Sequence, residues 1–415
     1  MNPIFPLTPF LQPLANNPWT YLVFGLIGFG FGFALEISGF GNSKKLAAQF
    51  YFKDMTVLKV MFTAIITAMV LIFLSSAIGI LNFNLVYVPE THLWPGIVGG
   101  LIMGVGFIVG GFCPGTSLVS ASTFKVDGIV FVLGGLVGVW AFGETVQPIW
   151  DWWNQSGYYG RLTLMDVFHL PTGWVVLLVV LMALFMFWGS EKLEKIIGKR
   201  DMSHEPKLRL FGAAGLVGLA LVVLLIGQPT AARKWVAISA QKEAALANRS
   251  VQIHPGELLA SLADKKLEVV MLDVRHQADF NLFHIKGAQN VPLNQLDSAL
   301  PSLQKESPPN RVIVLMSNDE IAATEAWKRL QAESIGNAYI LEGGLNNWIS
   351  IFGKGDPSIK PLQVSAGLDQ FKFSFTEALG DQYICSAPLP YEWKLEYTPK
   401  IKLQLQRSPS GGGCG

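Results

Sequence analysis

A cysteine set between paired glycines and a proline is the first place in this chain where chemistry is expected. Cys113 stands in G-G-F-C-P-G-T-S, where an apolar helix should stop and Pro114 should open the first turn of a short new one. The amides of residues 115 to 117 would then aim a helix N-terminus at the sulfur, an anion site that needs no Lys or Arg. A small buried thiol is the plainer reading of a lone cysteine. The break beside it favours function, because irregular backbone at membrane depth survives only where it lines a cavity or is buried in protein. Glu36 precedes a similar break, and a carboxylate at that depth is costly. A hydrogen bond to the break and a proton-coupling role both fit it. Lys44 and Lys45 follow, as a basic entrance or as solvated charges. Cys414 lies on a Gly-rich tether, with Cys385 as the thiol that could pair with it.

These residues need a membrane to make sense. Of 415 residues, 51% are hydrophobic and only 15% charged, and mean hydropathy is +0.39. Soluble chains carry about a quarter charged residues, so a cytosolic enzyme and a disordered chain are both excluded. The net charge of +1 leaves no basic footprint for nucleic acid. Three scattered cysteines make neither a disulfide framework nor a thiolate zinc site, and six histidines fall in no H-E-x-x-H pattern, so no cofactor or metal is expected.

Apolar runs recur at Trp19 to Leu35, Val57 to Leu81, Trp94 to Phe112, Gly128 to Phe142, Gly173 to Trp188 and Leu210 to Gly227. Each approaches the roughly 17 to 25 residues a crossing helix needs. About six membrane helices are predicted, the first too poor in basic leader residues to read as a cleaved signal. The segment Glu191 to Arg209 holds Lys192, Lys195, Lys199, Arg200, Lys207 and Arg209, which places it in the cytoplasm and everything after Gly227 outside. Two of the runs repeat a pattern. W-T-Y-L-V-F-G-L-I-G-F-G-F-G-F-A-L-E-I-S-G-F-G-N-S from Trp19 and W-P-G-I-V-G-G-L-I-M-G-V-G-F-I-V-G-G-F-C-P-G-T-S from Trp94 are each a Gly-rich helix, a G-F break and a short segment, with Asp54 and Asp127 opening the next span. Glycines that merely let helices pack are the bland reading; repetition of the whole unit points to a permeation path.

The stretches L-E-I-S-G-F-G-N-S-K-K-L-A-A-Q-F and V-G-G-L-I-M-G-V-G-F-I-V-G-G-F-C-P-G-T-S-L-V resemble the YeeE/YedE family of bacterial membrane proteins, over most of residues 19 to 145. The resemblance implies thiosulfate uptake and makes Cys113 a pore-lining thiol that offers its S–H to the terminal sulfur of the ion. Pro114, Gly115, Thr116 and Ser117, with Glu36, Gly41, Asn42 and Ser43 at the first break, would complete the path. Gly41 stands where another Cys would be expected, leaving one thiol unless a second copy or a partner supplies more.

After Gln228 the text changes. A charged helical connector, Arg233 to Ser250, leads to strands expected at Glu268 to Leu272, Gln289 to Val291, Val312 to Met316 and Ala338 to Leu341. These alternate with helices such as Pro255 to Leu262 and Ile321 to Glu333, the pattern of a small parallel α/β domain. V-V-M-L-D-V-R-H-Q-A-D-F-N-L-F-H-I-K-G-A-Q-N-V-P-L, V-I-V-L-M-S and L-E-G-G-L-N-N-W, in that order, resemble a rhodanese domain. Rhodaneses carry sulfane sulfur on a Cys after the V-I-V-L-M strand; here that position is Ser317, followed by Asn318, Asp319 and Glu320. A hydroxyl forms no persulfide and the two carboxylates would repel a dianion, so the domain is expected to be inactive, with Asp273, Arg275 and His284 kept for the fold. The Cys414 tail resembles the sulfur-carrier arms of DsrC/TusE proteins.

The expected protein is therefore a polytopic α-helical membrane domain with an internal repeat, plus a small α/β rhodanese-like domain and a β-rich C-terminal extension. Its divisions are 1–228 for transport, 229–252 as linker, 253–353, 354–406 for the extension and 407–415 as tail. It sits in the bacterial inner membrane with the α/β domain outside, and takes up thiosulfate or a related sulfur anion. Its partners are that anion, the lipid bilayer and a second copy or relay protein. The alternatives are a membrane-anchored sulfur-relay or sensory protein and a rhodanese that uses Cys414 in trans.

Overall fold

A helix satisfies its own backbone in lipid, so apolar runs of membrane length fold locally before they pack. The computed structural model describes residues 19–86, 88–199, 208–305, 310–363 and 369–403. Two units divide at Gln228 and Pro229. In the first, the apolar runs are α1 (Trp19–Ile37), α3 (Thr56–Ala77), α4 (Leu93–Gly110), α6 (Val126–Thr145), α7 (Thr172–Ile196) and α8 (Leu208–Ile226), and the short α2 (Ser43–Ala48) and α5 (Pro114–Ser122) follow the breaks. Among the described residues five stretches are long and apolar enough to cross a bilayer, Leu93–Ser122 counting as one although it breaks at Gly111; the apolar stretch Tyr21–Ile37 of α1 is shorter.

Helices α3, α7 and α8 pack around Val70, Phe73, Val176, Val180, Ala220 and Val223. Gly173 makes the closest approach, since a Cβ there would lie 2.7 Å from the Leu224 Cα. Helices α1, α4 and α6 instead turn large apolar side chains outward, with Phe29 73%, Leu101 68% and Trp140 69% exposed, a surface for acyl chains rather than water. Two polar ties fix which ends of the bundle meet. Glu194, buried at the end of α7, pairs with Lys59 at 2.5 Å and accepts the Met55 N–H at 2.7 Å. At the far end of α3, Ser76 donates to Gln228 at 2.7 Å. Lys44, Lys45, Lys53 and Lys59 therefore share an end with Lys192, Lys195 and Lys199.

The second unit holds β1 (Gln252–Ile253), β2 (Glu268–Asp273), β3 (Gln289–Asn290), β4 (Arg311–Met316) and β5 (Ala338–Leu341), all parallel in the order β1-β5-β4-β2-β3. Parallel strands are covered on both faces, which is why V-I-V-L-M is an unbroken apolar run. One face packs α12 (Leu296–Lys305) and α13 (Ile321–Ala332); the other packs α10 (Pro255–Ala263) and α14 (Gly344–Phe352); α11 (Gln277–Leu282) follows β2. The helical connector is α9 (Ala231–Ala247), which docks on this unit through Trp235 against Trp327. The extension carries less β structure than its sequence suggests: one antiparallel pair, β6 (Ile359–Pro361) with β7 (Phe373–Phe375). Its aromatic residues, Phe373 and Phe375 of β7 included, pack on the core around Trp348 and Phe283.

Candidate functional site

Both Gly-rich helices end alike. Gly39 and Gly111 adopt left-handed φ of 77° and 72°, a conformation that costs glycine nothing. Each turns the next residue inward, and Phe40 and Phe112, both 1% exposed, meet in one cluster with Leu46 and Val57. A Cβ on Gly111 would lie 3.1 Å from the Ser43 Cβ, so the two breaks touch.

Cys113 caps the N-terminus of α5 and is half-buried. Its N–H donates to the Thr116 Oγ1 at 3.0 Å and its Sγ lies 3.2 Å from the same oxygen. Thr116 and Ser117 are buried, Pro114 is exposed and Gly115 half-buried. The expected trio of free amides is reduced, because the Ser117 N–H donates to the Cys113 carbonyl at 3.0 Å and the Thr116 N–H to the Cys113 side chain in a capping box. A soft thiol poised on a hydroxyl, with the Gly115 amide at the same helix end, suits a polarisable anion.

At the first break no thiol is present, and an ion pair stands over the glycine. A Cβ on Gly41 would lie 2.6 Å from Glu36 Oε2 and 2.9 Å from the Lys125 Nζ. Glu36 and Lys125 pair at 3.5 Å, so this carboxylate answers an ammonium rather than the backbone of the break. Asn42 caps α2, accepting the Lys44 and Lys45 amides at 3.0 and 3.4 Å. Ser43 donates to Asp127 at 2.7 Å, tying the first break to α6. Of the two lysines expected at an entrance, Lys45 donates to the Ser38 carbonyl at 2.8 Å and Lys44 is exposed.

The loop after β4 is closed. Ser317 is fully buried, donating to the Asp319 carbonyl at 3.1 Å and accepting the Ala323 N–H at 3.2 Å. Asp369, from the extension, accepts the Asp319 and Ala322 amides at 2.8 Å each. A carboxylate of the chain itself thus fills the loop amides. Asp319 and Glu320, expected to repel a dianion, each meet a cation, Lys372 at 2.9 Å from Asp319 and Arg249 at 2.7 Å from Glu320, but Arg249 also reaches Glu342, and Asp369 adds a further carboxylate at the amides. Asn318 links Asp279, the Asp369 carbonyl and Arg275. The L-E-G-G-L-N-N-W motif has a backbone purpose, since the Leu345 and Asn346 amides donate to the Ser317 and Asn318 carbonyls at 2.9 and 3.0 Å. Replacing Asp369 by Ala removes two charge-assisted bonds, each worth about 1.5 to 3 kcal/mol. Asp369 is half-exposed, so water recovers part of that sum, and the variant is expected to lose roughly 2 to 4 kcal/mol of second-unit stability in urea, with Asp369→Asn intermediate.

The profile of the family described as "Sulphur transport" matches residues 38–261, more than half of the chain, and that of the rhodanese-like domain matches residues 254–351. The chain belongs to the sulphur transport family. It joins membrane-length apolar helices to a rhodanese-like α/β domain. It is similar to the uncharacterized protein YqhL of Bacillus subtilis (strain 168), at 28% identity over 78 residues, or 19% of this chain. The matched part spans 59% of that protein's length. The solution NMR structure of a rhodanese-like domain from Anabaena is 23% identical, with 29% of this chain and 95% of that one covered and a TM-score of 0.22.

Within this sulphur transport protein the remaining thiols differ in kind. Cys414 lies outside the described residues. Cys385 is buried, and burial with Asp356 nearby pushes its thiol up to about 12, so it does not suit the role of a resolving partner. Maleimide at about pH 8 is expected to leave Cys385 unmodified in the folded chain and to label it only in denaturant, read by mass spectrometry. The sequence reading missed Lys125, Lys59, Glu194 and Asp369. For Glu194 the signal was available, as a carboxylate in the last turn of an apolar helix; Asp369 carried none.

Proposed function

We propose that the membrane unit takes up thiosulfate or a closely related sulfur anion along a path that passes Cys113. The observation that carries this reading is the contact of the two helix breaks, Gly111 on Ser43, with a half-buried thiol held by Thr116 beside it. Helix ends that meet where lipid would otherwise leave backbone groups unpaired are how a bilayer protein builds an anion path. Glu36, Gly41, Asn42 and Ser43 form the facing side. The Glu36–Lys125 pair gives that side a cation which the passing anion can share.

The rhodanese-like unit is a non-catalytic accessory in this reading. Ser317 supplies no persulfide, and Asp369 already occupies the loop amides. The end rich in Lys44, Lys45, Lys53, Lys192, Lys195 and Lys199 faces the cytoplasm of the bacterial inner membrane, which puts the second unit outside. The docked α9 and the filled loop also favour a second reading, a membrane-anchored relay or sensory protein in which the spans only anchor. Uptake of radiolabelled thiosulfate by cells that make the full chain, against cells that do not, separates the two: transport requires accumulation that unlabelled thiosulfate competes away. No accumulation above the control cells would leave the anchored protein as the reading.

A further inference from the structure

Away from the Ser317 loop, the second unit has a cavity of about 360 Å³ at the opposite, N-terminal end of its parallel strands. Ser250 and Val251 before β1, Asn337 and Ala338 at the start of β5, and Trp327 of α13 form one side. The cations come from elsewhere: Lys242 from α9, and Lys400 and Lys402 from the extension. All three lie outside residues 254–351, the part that matches the rhodanese-like domain. The cavity is therefore a property of what this chain adds to the domain.

The charges around it are unbalanced. Lys400 is committed, donating to the Gln252 carbonyl at 2.7 Å with Glu342 at 3.9 Å. Glu257 is close enough for its charge to act on Tyr339 but does not line the cavity, and its Oε1 accepts the Lys400 and Ile401 amides at 2.7 Å each. Lys242 is half-buried with no ion pair or hydrogen bond among the described residues, and that burial lowers its pKa with no carboxylate to offset it. Lys402 is exposed at the rim, and its backbone is pinned by exchange of hydrogen bonds with the Tyr339 hydroxyl at 2.8 and 3.1 Å. An ammonium half-removed from water is costly unless something supplies the opposite charge.

We infer that this cavity binds the dianionic group of a small molecule, with Lys242 and Lys402 as its counter-charges and Trp327 beneath its apolar part. The volume falls in the range of small-molecule sites, roughly 300 to 1,000 Å³, and exceeds what a bare tetrahedral oxyanion fills. A phosphate monoester fits better than thiosulfate alone, and the shared dianion chemistry admits both.

The test uses the full chain in detergent micelles. A lysine with a lowered pKa acylates readily, so acetylation of Lys242 at about pH 8, relative to the exposed Lys265, is followed by mass spectrometry. The probes are AMP, inorganic phosphate and thiosulfate, each against chloride at matched ionic strength. Roughly threefold slowing by AMP is expected at twice its Kd. Lys402→Ala, which leaves the backbone bonds to Tyr339 in place, should weaken that protection while the unprotected rate of Lys242 stays the same. Protection by the inorganic dianions to the same degree as AMP would confirm the dianion and discard the organic part. Equal rates with all three probes and with chloride overturn the site.

Discussion

Cys113→Ala is expected to lower thiosulfate uptake by about tenfold or more at unchanged abundance in the membrane. The substitution keeps the start of α5 and gives up one half of its capping box, the sulfur that accepts the Thr116 N–H. The bond from residue 113 to the Thr116 hydroxyl uses the backbone N–H, which Ala keeps, and Pro114 still opens α5. What also disappears is the sulfur 3.2 Å from Thr116 Oγ1, the soft S–H donor that the proposed path would offer to the terminal sulfur of the anion. Cys113→Ser should be intermediate, because a hydroxyl donates but is harder and more strongly hydrated. Thr116→Val should also reduce uptake, since the same hydroxyl orients both the thiol and the amide above it. Uptake by the Ala variant within about twofold of the parent would remove Cys113 from the path.

Arg275→Ala is expected to destabilise the second unit by about 3 to 5 kcal/mol, the usual cost of stripping one partner from a buried ion pair. The guanidinium donates to Asp273 at 2.9 and 2.6 Å, to the Asn318 side chain at 3.0 Å and to the Phe283 carbonyl at 2.7 Å. The Phe371 ring lies 4.7 Å from it. Side-chain exposure is 2% for Arg275 and 0% for Asp273, so water cannot replace the lost partner. A domain is stable by only about 5 to 15 kcal/mol in all. Urea unfolding followed by tryptophan fluorescence should show the shift, and the Asp273→Asn, Arg275→Met double variant should recover part of it because no bare charge remains. A loss below about 1 kcal/mol would mean that the knot is not structural.

Much of this was legible from residue order. Each G-F break supplied a glycine that takes a left-handed turn and a Phe that plugs the core, and Cys113-Pro114 announced a new helix start. The run V-I-V-L-M and the G-G-L-N-N-W motif placed the Ser317 loop, because both encode local backbone geometry. The partners of those residues were hidden. Glu36 meets Lys125 from 89 positions away, Ser43 meets Asp127 from 84, and Lys59 meets Glu194 from 135. In the extension, aromatic residues serve strand and core together, with Phe373 and Phe375 in β7 and packed on the same core as Trp348 and Phe283.

Sequence by itself determined that this protein crosses a membrane, that its first unit is duplicated around Gly-rich breaks, and that Ser rather than Cys follows the fourth strand. Those properties rest on composition, period and single side chains, which are local. Only the tertiary structure decided that a carboxylate of the extension sits on the loop amides and that an ion pair stands over Gly41. Both depend on segments distant in the chain closing on one another, and a buried polar group takes whichever partner packing brings within reach.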